Sequence, residues 1–96
     1  MARIWTHGIW TAKDGHESDF VAAWRGLVPL GRSSGLDDPR LLRDRERPSL
    51  YRSFGSGSSL EDIESFRTAI APMVSTMDDL LVSFETFTLD EAYPGD

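Results

Sequence analysis

The chain has 96 residues, a formal net charge of -6 and no cysteine. Those values fit one domain, residues 1–96, and exclude a disulfide framework or thiolate metal site. They also make phosphate backbones and anionic lipid poor partners, so neither nucleic acid nor membrane is expected.

A domain of this size buries only about two-thirds of its unfolded surface, so help from a partner subunit is expected. No apolar run approaches the ~20 residues of a membrane span. Residues 1–8 lack the charged-then-apolar pattern of a secretory leader, so a cytoplasmic location is expected. Asn and Gln are absent, which removes side-chain amides as ligands or oxyanion donors.

Residues 3–11 (RIWTHGIWT) are rich in β-branched and aromatic types and predict a strand. Its two faces are Ile4, Thr6, Gly8, Trp10 and Trp5, His7, Ile9, Thr11, and both carry large apolar groups. After a turn at 13–15, Phe20, Ala23, Trp24 and Leu27 form one helical stripe over residues 16–28. Glu17 and Asp19 suit its first turn, and Gly26 and Pro29 predict its end. Residues 29–39 read as a loop, more readily a connector than a lid.

Residues 40–44 and 49–56 predict two strands of an antiparallel hairpin. GSGSS (55–59) follows as a flexible connector, then a helix capped through Ser58 with Glu61 or Ser59 with Asp62. Leu60, Ile63, Phe66 and Ile70 are its apolar stripe; Pro72 interrupts it, and Met73 and Met77 suggest a further turn. The last strand, 80–89, sets Val82 and Phe84 against Leu81, Phe87 and Leu89. A polar tail closes the chain, with the core at about 3–91 and the tail at 92–96.

The order βαββαβ is the ferredoxin-like, split βαβ arrangement: an α+β fold with two helices on one face of a four-stranded antiparallel sheet. The first and last strands are apolar on both sides, so the uncovered face predicts a homodimer packed sheet to sheet.

His7 has the titration range of a general base and the chemistry of a haem ligand, and a partly buried histidine satisfied by a neighbour or at a dimer seam is the plainer reading. His16 reads as solvated. No His/Asp/Glu spacing resembles a metal site, so none is expected. GSGSS lacks the Lys and third Gly of a phosphate loop. Arg40, Arg43, Arg45, Arg47 and Arg52 crowd the hairpin with Asp44 and Glu46, the pattern of a solvated edge. Trp5, Trp10, Phe20, Trp24, Tyr51, Phe54, Phe66, Phe84 and Phe87 are many rings for so small a core, and aromatic-lined pockets suit flat organic ligands.

The stretches AKDGHESDFVAAW (12–24), LLRDRERPSLYRSFGSGSSLEDIESFR (41–67) and LLVSFETFTLDE (80–91) resemble the antibiotic biosynthesis monooxygenase domain. The resemblance implies a dimeric α+β barrel of two facing sheets, with a pocket in each subunit between helices and sheet. It also implies oxidation of aromatic polyketides such as anthrones with no metal or organic cofactor.

Some members degrade haem with an asparagine, a tryptophan and a histidine. Those positions fall here on Gly8, Gly57 and residues 71–79, which contain no histidine. Gly57 in place of the tryptophan implies an enlarged cavity.

The expected pocket holds Trp10, Trp24, Tyr51, Phe66 and His7. His7 is the candidate base, Tyr51 a hydrogen-bond donor, and Arg43 or Arg52 the charge that steadies an enolate. The rival expectation is a dimer that binds a small hydrophobic ligand, or scaffolds, without chemistry.

Overall fold

The structure, a computed structural model, describes residues 3–93. The order is β1 (Ile4–Ala12), α1 (Glu17–Arg25), α2 (Val28–Ser33), β2 (Asp37–Arg43), β3 (Leu50–Gly57), α3 (Leu60–Thr76), a 3₁₀ turn (Asp78–Leu80) and β4 (Leu81–Asp90). All strand pairs are antiparallel and the sheet order is β2-β3-β1-β4, the ferredoxin-like α+β fold.

Register assigns the two faces. Trp10 lies between Tyr51 and Phe84, and this face carries the helices. His7 lies between Phe54 and Phe87 on the opposite face. The core forms under the helices, where Trp10, Ala12, Phe20, Leu27, Tyr51, Ile70 and Met77 are buried.

Four local expectations change. Pro29 does not end structure: Gly26 caps α1, and Pro29 sits in the first turn of α2, where its missing N–H costs nothing. Residues 29–39 are therefore no plain loop, since they hold α2 and the start of β2.

Pro72 does not interrupt α3, which runs unbroken through it. A proline inside a helix loses one backbone bond, but Ile70, Met73, Val74 and Met77 all pack on the core and hold the last turns. Gly55 and Gly57 are not a connector either. They are buried residues at the end of β3, where Leu36 approaches each within 3.6 Å of where a Cβ would stand.

Finally, pairing jumps from Thr11–Ser83 to Ala12–Leu81. Val82 becomes the extra residue of a bulge and is 68% exposed, while Leu81 turns inward with Phe84.

The cap of α3 resolves to Ser59, whose hydroxyl accepts from the Asp62 N–H at 3.2 Å. Asp62 Oδ2 in turn accepts from Ser58 Oγ at 3.0 Å. The sheet also runs close to the predicted tail boundary: β4 continues to Asp90, and Glu91 N–H donates to the Arg3 carbonyl at 3.2 Å. Residues 94–96 of that tail lie outside the described residues.

No helix among the described residues is long and apolar enough to cross a membrane.

Candidate functional site

A cavity of about 60 Å³ opens to solvent between α1, α2, α3 and the helix face of the sheet. That volume holds only a handful of waters. Its walls are aromatic and aliphatic: Trp10, Trp24, Leu27, Phe66, Ile70 and Phe84. Trp10 and Phe84 stack with ring centroids 3.9 Å apart. Val28, Gly31 and Leu36 close the outer wall, so the segment expected to be a connector forms one side of the cavity. Arg32 and Asp37, both exposed, stand at the rim, and Asp37 pairs with Arg3 at 3.2 Å.

Polar groups inside are few. Trp10 Nε1–H donates to Ser53 Oγ at 2.9 Å. That bond occupies one acceptor site of the hydroxyl. Its own proton meets no protein acceptor among the described residues, so it is free for a ligand in the cavity. Thr6 Oγ1 accepts from Arg67 at 3.2 Å. Ser53 is not among the candidates read from sequence, because a lone serine in a strand carries no motif. Its signal is positional: it pairs across β1 with Gly8, two residues before Trp10.

The sequence-predicted residues divide between locations. Trp10, Trp24 and Phe66 line the cavity together. Tyr51 is on the helix face but buried among Trp10 and Phe20. It borders a separate shallow groove beside α1, with Arg43 and Arg25.

His7 and Arg52 are not in the cavity. Strand alternation puts both on the opposite face of the sheet, His7 paired with Phe54 and Arg52 with Ile9. The expected quartet of His7, Tyr51, Arg43 and Arg52 therefore does not converge on one bound molecule.

His7 stacks on Phe54 with centroids 4.6 Å apart and planes within 4°. Its Nε2 is buried without a hydrogen-bond partner. Burial first, and the Arg52 guanidinium second, hold its pKa below the ordinary imidazole value. Around it the open face shows Trp5, Ile9, Leu42, Phe87 and Leu89; Leu42, Phe87 and Leu89 are among the exposed large hydrophobics.

Haem-degrading geometry has no place here. A Cβ on Gly8 would stand 2.7 Å from both Ser53 Oγ and Trp10 Nε1, so no asparagine fits under that bond. Gly57 does not enlarge the cavity as expected. A Cβ there would lie 3.0 Å from Leu36 Cδ2 and 3.1 Å from Asp62 Cβ, so Leu36 already fills the space. Gly57→Trp should cost about 1–3 kcal/mol through overpacking, and adding Leu36→Ala should recover part of it, read by urea denaturation. An undiminished midpoint for the single variant would contradict this packing. No three His, Asp or Glu side chains gather as a metal site among the described residues.

No family model matches the chain, and no curated protein does. Solved structures do. SnoaB, a cofactor-independent oxygenase from Streptomyces nogalater, superposes with a TM-score of 0.83 at 12% identity, covering 96% of this chain and 95% of its own.

The fold is that of the antibiotic biosynthesis monooxygenase domain.

A Bordetella bronchiseptica protein described as a "putative antibiotic biosynthesis monooxygenase" shares this monooxygenase-domain fold with a TM-score of 0.82 at 16% identity, over 97% of this chain and 100% of its own. PA3566 of Pseudomonas aeruginosa gives 0.81 at 18%, over 97% of each chain. At such identities the likeness concerns the monooxygenase-domain fold alone.

Proposed function

We propose that the chain binds a small, flat, aromatic or polyketide-like molecule in the cavity and promotes its oxidation by O2 without a resident cofactor. The observation that carries the reading is the aromatic-walled cavity with an uncommitted donor on its floor, the Ser53 hydroxyl beside the Trp10 ring. Apolar walls with few polar groups suit a fused-ring ligand, and a hydroxyl donor suits its carbonyl or enolate oxygen.

For an anthrone, a ring CH2 becomes C=O while O2 supplies that oxygen and leaves as one water. The substrate furnishes all the electrons, and Ser53 holds the oxygen on which enolate charge gathers. A fused-ring molecule needs more room than the cavity now offers, so binding requires α2 and Trp24 to move outward. A cytoplasmic location belongs to the same reading.

The test is oxygen uptake with anthrone. Ser53→Ala should lower kcat/KM about tenfold or more, the worth of a hydrogen bond to a charged acceptor. Tyr51→Phe should leave the rate near that of the wild type. Binding without oxygen uptake would support a second reading, a ligand-binding module without chemistry. That reading is favoured by the position of His7, the natural base, across the sheet from the cavity. No binding at all would sink both.

We also propose that a second copy of the chain covers the open face. The supporting pattern is an apolar centre bordered by Arg40 and Arg52 on one side and Glu85 on the other. A two-fold axis lying between the two sheets and along the strands sets Arg52 of one copy against the Glu85 carboxylate of the other, a match that a second copy of the same surface supplies.

A further inference from the structure

We propose that His7 makes subunit pairing sensitive to pH, the dimer forming with neutral imidazole and separating when His7 is protonated. The inference rests on the two-copy reading above. It starts from position: His7 is on the central strand β1, and its register partners on both sides, Phe54 and Phe87, are aromatic. Its ring is stacked on Phe54, and Phe87 is 5.7 Å away. Nε2 is buried and unpartnered even in the single chain.

The charged groups facing it are Arg52 on β3, Glu85 on β4 and, one strand further, Arg40 on β2. Arg3 lies beyond Trp5 and is tied to Asp37. On β1 itself Trp5 and Ile9 flank it and bear no charge. Two cations against one carboxylate disfavour a third positive charge, and a covering sheet removes the water that would solvate it.

The sign follows. His7 is held below the ordinary pKa in the single chain, by burial and then by Arg52. Covering the face lowers it further. Pairing is then at full strength above the single-chain pKa and is lost as the pH falls through it.

One proton is taken up per subunit, so the dimer Kd should rise about 100-fold at one pH unit below the single-chain pKa. Sedimentation equilibrium between about pH 7.5 and pH 5 reads this directly. His7→Phe keeps the apolar ring and removes the titration, so its Kd should stay nearly flat. Effects of acid on every other group are common to both proteins and cancel in the ratio of their Kd values.

Equal pH dependence in the two proteins would overturn the switch while leaving the dimer standing. So would a wild-type dimer that tightens in acid. A monomer throughout would overturn the dimer and the switch together.

Discussion

Phe20→Ala should remove about 3–5 kcal/mol of stability, the usual cost of deleting a buried ring and leaving its cavity. Phe20 is 0% exposed, with its ring 5.4 Å from Trp10 and 5.0 Å from Tyr51. It is the buried residue of α1, packed on the sheet beside Trp10, which forms the inner wall of the cavity. Set against a typical total of about 5–15 kcal/mol, the variant should be marginally folded. Its thermal midpoint should drop by about 12 °C or more. Circular dichroism at one protein concentration checks this, since coupling to a dimer makes the midpoint concentration-dependent. A loss below about 1 kcal/mol would mean that Trp10 and Tyr51 do not depend on that ring.

Phe87→Glu should separate the subunits while leaving each folded. The side chain is 39% exposed in the single chain and stands beside His7 on the open face, away from the cavity. In a two-copy assembly the substitution buries one new carboxylate per subunit in the apolar centre of the face, two residues from Glu85. An uncompensated buried charge costs about 3–5 kcal/mol, so the dimer Kd should rise by at least about 100-fold. Light scattering at micromolar concentration should then report a monomer with an unchanged far-ultraviolet spectrum. A dimer that persists would place the interface elsewhere.

The two substitutions probe opposite faces of one sheet, and the faces are legible to different degrees. Period-two alternation in residues 3–11 is enough to set Trp10 and His7 on different sides of the strand, but it does not say which side meets the helices. Register answers that, because Trp10 pairs with Tyr51 and Phe84 under α1, and His7 does not. Trp10, Trp24 and Phe66 group as a pocket from ring content and helical spacing. Ser53 does not, since its value comes from Trp10 folding its indole N–H back onto it over a glycine.

Breakers mislead where burial outweighs them. Pro72 carries a local cost of about 3 kcal/mol in a helix interior. Met73, Val74 and Met77 offset it by packing on the core, and the helix continues. The bulge at Val82 is equally hidden, because a strand's alternation assumes an unbroken ladder.

The amino-acid sequence by itself determined the succession of four strands with the two helices α1 and α3, and a sheet apolar on both sides, since both follow from side-chain periodicity along the chain. Only the tertiary structure decided which side chains meet. It brought α2 and Leu36 over the cavity, closed the space at Gly57 and sent His7 and Arg52 to the far face. Those outcomes depend on pairing register and on contacts between residues distant in the chain, which no local spacing encodes.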